Sequence, residues 1–539
     1  MNAESRYDYV IVGGGTAGCV LASRLSEDPS VRVALVEAGP RDRSPLLTVP
    51  AGVIKVAGDP RFNWGYMTEP QAELGGRRLP FVQARVLGGG SSINGMVYTR
   101  GMASDYDSWR DLGVEGWDHE ALLPYFMRSE HSDTDSPDRG RDGPLATTRA
   151  RPALGVVEDI VEAMRRAGYA WVEDLASAEP DGFGRYDWAI SKGRRSSSAS
   201  SFGGLRGGRP NLHLLVNARA KRVLLERDRA DLIEIEELGA ERLLRAEREI
   251  ILCAGAIGSA ALLLRSGIGP ADQLREAGVT VQREHPQVGR NLSNHMSYRL
   301  EYRYGRPTTA RRFLTPWGGL GALLGYAIGR RGFLGHGTSP LGGFFRSDPA
   351  LPRPDMQLFV APVLFGTGPG VRGLLPDEHG FSLSISQGVP WSRGAMWLQP
   401  GHPNAAPAID PAAFRDRRDL EATIDAIGRM RDLAGGLPLA RHITGERRPG
   451  AAVRTRGEIE DAVRREARPY FHPVGTCRMG RAVGDSVTDS QLRVHGIEGL
   501  RVADASVMPR LVNGNLNAPV MMIAERAADF IRGVASIDN

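Results

Sequence analysis

The spacing of apolar positions changes twice within the N-terminal stretch YDYVIVGGGTAGCVLASRLSEDPSVRVALVEAG. An unbroken apolar run from Tyr9 to Val12 predicts a buried strand. The glycines of Gly13-x-Gly15-x-x-Gly18 follow, and then Val20, Leu21 and Leu25 recur at the three-to-four spacing of a helix face. Beyond Pro29 the apolar run returns from Val31 to Val36 and ends at Glu37, which predicts a second strand and completes a βαβ unit. Two later stretches, NLHLLVNARAKRVLLE at 211–226 and REIILCAGAIGSAALLL at 248–264, read as strands and a strand-to-helix turn returning to that unit. DMQLFVAPVLF at 355–365, GFSLSISQGV at 380–389 and GAMWLQP at 394–400 are aromatic-rich strand candidates without nucleotide motifs. Near the C-terminus Val520, Ile523, Ala527, Phe530 and Ile531 recur at helical spacing, with Pro519 at the expected start and Asn517 as the expected cap. The polar stretch SEHSDTDSPDRGRDGP at 129–144 predicts a solvated loop.

Length and composition limit the function classes. A chain of 539 residues exceeds a single core, so two or three packed units are expected. MNAESRYDYV lacks the basic start and apolar run of a secretory signal, and no stretch is apolar enough to span a bilayer. The net charge of +5 is a small excess, and only Lys55, Lys192 and Lys221 among the basic residues are lysine. The clusters Arg194-Arg195 and Arg311-Arg312 are short and no recognition motif accompanies them, so a nucleic-acid partner is not expected. Cys19, Cys253 and Cys477 form neither a disulfide framework nor a CxxC metal site, which points to a cytoplasmic setting and no metal.

The first turn carries nucleotide chemistry. Gly13 allows the tight turn, Gly15 the approach of a pyrophosphate, and Gly18 close helix–strand packing, while the helix N-terminus offers free N–H groups to phosphate. Glu37, at the end of the second strand, suits a ribose diol and repels a 2′-phosphate. NAD and FAD both satisfy this pattern. The stretch ARVLGGGSSINGMVYTRG at 84–101 places glycines and serines between apolar residues, as a loop buried under something flat or charged would. FHPVGTCRMG at 471–480 holds His472 five residues before Cys477, a spacing compatible with a base, a ligand or a packing role.

RVLGGGSSINGM, GAIGSAALLLRSGIGP at 255–270, HPQVGRNLSNH at 285–295 and RVADASVMPRLVNGNLNAPVMMIAERAADFI at 501–531 together resemble the glucose-methanol-choline (GMC) family of FAD-dependent alcohol oxidoreductases. Gly258 and Ala260 stand where that family more often has Asn and Pro. The resemblance implies an α/β and α+β fold: a Rossmann-like FAD-binding domain over 1–150, 210–295 and 470–539, and a substrate domain over 151–209 and 296–469 built on an antiparallel sheet flanked by helices. It implies FAD held by Gly13, Gly15, Thr16, Ala17, Gly18, Glu37, Ala38, Arg85, Gly89, Gly90, Ser91, Asn94, Gly95, Met96 and Val97. Val223 beside the adenine, Ala254, Asp504, Ala505, Asn517, Ala518 and Pro519 complete the implied set. Ile93 stands where some relatives carry the histidine that attaches the flavin covalently, so a non-covalent FAD is expected. GRRSSSASSF at 193–202 matches a stretch that begins a helix near the cofactor.

The same resemblance makes His472 the base that takes the alcohol proton and Asn517 the partner of the substrate oxygen. A small-molecule alcohol is the implied substrate, with oxygen or a quinone or dye as electron acceptor. Choline-type relatives use an acidic residue and a second histidine, and the positions matched to these, near Leu341 and Val389, are apolar here, which disfavours quaternary amines. A few relatives instead cleave hydroxynitriles or decarboxylate in light on the same scaffold.

Overall fold

The computed structural model describes residues 5–534 apart from 152–153, 308–310, 312, 314–315, 331 and 367–377. Arg312 of the basic pair 311–312 therefore lies outside the described residues. A seven-stranded sheet forms the nucleotide side, ordered Leu212–Val216, Val33–Glu37, Ser5–Val12, Ala240–Leu252, Arg229–Glu237, Ala218–Glu226, with Leu500–Val502 added beside Ala240–Leu252. The first four of these strands and Leu500–Val502 pair in parallel, and the remaining pairings are antiparallel. Val33–Glu37 is buried at every position, as a parallel strand covered on both faces must be, which explains its continuous apolar run.

Helix Thr16–Leu25 packs on this sheet beside helix Asn517–Arg532. Arg24 binds Glu525 through two hydrogen bonds of 2.9 Å, and Glu525 is fully buried. The C-terminal helix begins at Asn517 itself, with Leu516 in the cap position and no side-chain cap, so Asn517 does not cap it. Its amide is engaged elsewhere: Thr16 Oγ1 donates to Asn517 Oδ1 at 3.0 Å.

The second sheet is antiparallel, ordered Ile443–Arg448, Met296–Tyr304, Gly380–Gln387, Met356–Ala361, Leu341–Phe345, Gly182–Arg185, with Arg468–Pro469 paired to the start of Met296–Tyr304. Period-two alternation divides its faces. Met296, Tyr298, Leu300, Tyr302 and Tyr304 share an apolar core with helices Gly155–Arg166, Arg417–Gly435 and Arg456–Glu466, whereas Ser297 and Arg299 face a cavity. GAMWLQP contributes no strand to this sheet. Its Ala395–Trp397 pairs with Ala408–Asp410, and Met396, Leu398 and Ile409 pack into the core of the nucleotide sheet. Conversely, Leu74 and Leu79 pack into the core of the antiparallel sheet.

The 129–144 stretch is not a solvated loop. Glu130 and Arg139 are fully buried, and Arg139 binds Glu130 and, at 2.8 Å each, Asp174 and Asp187. Each charge has a partner, the condition under which a buried ion is tolerated.

Candidate active site

A cavity of about 640 Å³ is lined by residues of both sheets. At its nucleotide end, Gly13, Gly15, Thr16 and Ala17 line the wall with Glu37 and Ala38. Glu37 is buried and accepts hydrogen bonds from the N–H of Gly14 at 2.8 Å and of Gly39 at 2.7 Å. Burial raises its pKa, while these donors favour the ionised form. Helix Thr16–Leu25 has no side-chain cap and no acid in its first turn, so its first N–H groups are open to an anion in the cavity. Gly18 is forced by contact: a Cβ there would stand 1.9 Å from the Gly13 carbonyl oxygen.

The glycine-serine loop crosses next. Gly89, Gly90, Asn94, Gly95, Met96 and Val97 all line the cavity. Gly89 has φ +53°, and a Cβ on it would meet Gly15 Cα at 2.6 Å, so only glycine lets the two phosphate-side turns close on one another. Ser91 points away from the cavity, binding the Gly88 carbonyl at 2.6 Å and accepting from the N–H of Ser198 at 2.9 Å. Ser198 opens the short helix Ser198–Ser201, and Ser197 caps it through Ser200. Across from these strands Ala254, Asp504 and Ala505 complete the wall. Asp504 is buried and accepts from the Gly255 N–H at 2.9 Å, Ser259 Oγ at 2.5 Å and the Ser506 N–H at 2.8 Å.

Five other expected residues lie off the cavity. Val223 turns inward, its N–H bound to Ser266 Oγ at 2.8 Å, and Ala218, Arg219 and Ala220 of the same strand line the wall instead. Arg85 sits behind Trp64, with its guanidinium 5.7 Å from the ring centroid. Gly18, Ala518 and Pro519 are buried behind the residues that reach the wall. Leu341 faces the helices of the antiparallel sheet, and neither it nor Val389 reaches the cavity.

At the far end His472 and Asn517 both line the cavity. His472 Nδ1 lies 2.9 Å from His295 Nδ1, and His295 Nε2 lies 2.7 Å from the Gly388 carbonyl oxygen. A carbonyl only accepts, so His295 in its neutral form carries its proton on Nε2 and accepts at Nδ1 from His472 Nδ1–H. His472 Nε2 is left with a lone pair. Burial pushes His295 down to about 4, and burial followed by the neighbouring His295 holds His472 well below the ordinary histidine range. Both rings are therefore neutral near pH 7. The Asn294 side chain accepts from the His472 N–H at 2.7 Å, and Tyr470 stands edge-on to the His472 ring at 5.3 Å. Asn517, with Oδ1 occupied by Thr16, has its amide nitrogen left to donate.

Sequence reasoning missed four contributors. His295 ends a quoted motif, yet nothing local marks it as the partner of His472. Arg195 is buried with no carboxylate against it among the described residues, bonding the carbonyls of Leu47, Ser91 and Asn94 and so holding the glycine-serine loop; burial lowers it to about 9. Trp64 and Tyr66 line the nucleotide end as a stacked pair 5.9 Å apart. Cys477 is fully buried and its N–H binds the Ser506 carbonyl, a packing role.

Residues 7–297 match the N-terminal part of GMC oxidoreductase and residues 390–524 the C-terminal part. The chain belongs to the GMC oxidoreductase family. It is an FAD-dependent oxidoreductase acting on CH–OH groups. The open first turn, the Gly15–Gly89 approach and the buried Glu37 and Asp504 fit such a dinucleotide. Among its relatives in this family, an oxygen-dependent choline dehydrogenase of Sinorhizobium medicae is 37% identical over 98% of this chain and 95% of its own. An alcohol dehydrogenase [acceptor] of Pseudomonas putida is 37% identical over 97% of this chain and 95% of its own. The fold matches formate oxidase of Aspergillus oryzae with a TM-score of 0.92 at 26% identity, covering 99% of each chain. It matches pyridoxine 4-oxidase of Mesorbium loti with a TM-score of 0.85 at 32% identity, covering 97% and 98%. No helix among the described residues is long and apolar enough to cross a membrane.

Proposed function

We propose that this GMC oxidoreductase converts an alcohol to an aldehyde or ketone with His472 as the base. The observation that carries this reading is the ordered pair His472–His295, whose His472 lines the same cavity as the amide nitrogen of Asn517. A neutral imidazole whose Nδ1 proton is held by His295 presents Nε2 to the hydroxyl proton, and Asn517 Nδ2 donates to the oxygen as its charge grows. FAD, when bound, supplies the acceptor for the carbon-borne hydride. Tyr470 packs edge-on against the His472 ring and helps to hold its orientation.

Gly13, Gly15, Thr16, Ala17, Glu37 and Ala38 would hold the ADP half of FAD, Ala254, Asp504 and Ala505 the pyrophosphate and ribityl region, and the loop from Gly89 to Val97 the ring system. Attachment is non-covalent, because Ile93 offers no nucleophile in that loop. Residues 1–150, 210–295 and 470–539 serve the cofactor, and 151–209 with 296–469 the substrate. Oxygen or a quinone-like acceptor reoxidises the flavin. Three buried, unpaired cysteines support a cytoplasmic setting.

The test is anaerobic mixing of the FAD-loaded protein with a panel of aliphatic, benzylic and furanic alcohols in the dark. Loss of the flavin's visible colour with formation of the carbonyl product is expected. Product without loss of colour, or neither with any alcohol, would sink the reading.

A further inference from the structure

The cavity's charges are arranged unequally. Among the described residues its two lining carboxylates, Glu37 and Asp504, both belong to the nucleotide end. The substrate end, beyond His472 and Tyr470, is lined instead by Ser297, Arg299 and Arg468. Ser297 and Arg299 alternate onto the cavity face of strand Met296–Tyr304, and Arg468 is the direct cross-strand partner of Ser297, so the three side chains share one wall.

Both guanidinium groups retain binding capacity. Arg299 spends only Nε, on Ser384 Oγ at 3.3 Å, and its plane lies over Phe365 with the guanidinium 4.2 Å from the ring centroid. Neither of its terminal nitrogens makes a hydrogen bond among the described residues, and the nearest carboxylate, Glu301 at 3.9 Å, is already shared with Arg447 and Arg448. Arg468 has no hydrogen-bonded or ion-paired side-chain partner among the described residues. Burial, opposed by Glu301 and joined by the facing Arg468, lowers Arg299 to about 10. Two like charges on one cavity wall, with open donors and only the shared Glu301 as a nearby acid among the described residues, form a site that an anion completes.

We infer that the substrate end of the cavity binds an alcohol carrying an anionic group, carboxylate or phosphate, through Arg299 and Arg468. This inference rests on the reading of His472 as the alcohol base for the word alcohol, and on the two arginines alone for the word anionic. It sets this protein apart from its choline-dehydrogenase relatives, since a quaternary ammonium would meet two cations and no carboxylate.

The experiment titrates the FAD-loaded protein with four ring ligands that cannot be oxidised, benzoate, phenylphosphonate, benzamide and benzyltrimethylammonium, read by the perturbation of the flavin spectrum. At least one anion binds about tenfold tighter than benzamide, and the ammonium binds weakest. Whichever of benzoate and phenylphosphonate wins identifies the group. Added salt weakens the anions and leaves benzamide unchanged. In Arg468→Ala and Arg299→Gln the anion preference shrinks while benzamide affinity and FAD content stay constant, which separates lost recognition from lost fold. Benzamide binding as tightly as both anions, or a preference that survives in the double variant, overturns the inference. Turnover of 4-(hydroxymethyl)benzoate against its amide then divides the two claims: anion-selective binding with neither compound oxidised leaves the anion site standing and counts against His472 as the base for an alcohol held there.

Discussion

Replacing His295 with leucine removes the group that holds the proton on His472 Nδ1 without opening a large void. Two hydrogen bonds go, the 2.9 Å contact to His472 and the 2.7 Å contact to the Gly388 carbonyl. Only the first acts on chemistry. A net hydrogen bond is worth roughly 0.5–1.5 kcal/mol, and at about 1.36 kcal/mol per tenfold that amounts to about 2- to 13-fold in kcat/KM. Removing the base itself, in His472→Ala, costs roughly 10²–10⁴-fold. The unpaired Gly388 carbonyl lowers stability as well, so FAD content and unfolding midpoint are measured beside the rate. The decisive comparison is a double-mutant cycle followed by anaerobic flavin reduction with a primary alcohol. If His295 works through His472, His295→Leu changes little in the His472→Ala background. An equal loss in both backgrounds would refute the relay and place the role of His295 elsewhere.

Acid precipitation of the FAD-loaded protein releases the yellow colour into the supernatant; colour that stays in the pellet would show a covalent bond despite Ile93. Acid should destabilise the fold through two buried histidines, His285 and His295, both pushed down to about 4 from 6.5 by burial. Above pH 6.5 they are neutral folded or unfolded; between 6.5 and 4 the unfolded chain takes up protons that the folded chain refuses, so stability falls by about 1.4 kcal/mol per pH unit for each. Urea midpoints at pH 7.5, 6 and 5 check this, and a flat profile counts against it. Gly89→Ala should abolish FAD retention, because its Cβ would sit 2.6 Å from Gly15 Cα; FAD content after desalting measures it.

What could be read in advance was what is encoded locally. The βαβ turn and Glu37 follow from glycine positions and a change of period within one short stretch, and the chain folds there as its spacing dictates. His295 was illegible because its meaning depends on a partner 177 residues away, a pairing that only the antiparallel sheet creates. The 129–144 stretch misled for the same reason: its polar composition does not reveal that Arg139 finds three carboxylates, two of them buried. Asn517 has the right chemistry for a cap, yet a tertiary bond from Thr16 claims its side chain. Arg299 was hidden inside MSYRLEYRY, where the alternation is plain but the face that receives the polar set is not.

The bond between Thr16 and Asn517 joins positions 501 residues apart, and Arg24 meets Glu525 across the same span. During synthesis the N-terminal βαβ can form early, but the wall that faces it emerges 501 residues later. The cavity therefore closes only once Asn517 has been made. A chain arrested ahead of Asn517 would lack the helix that Thr16 and Arg24 bind, and with it one wall of the cavity.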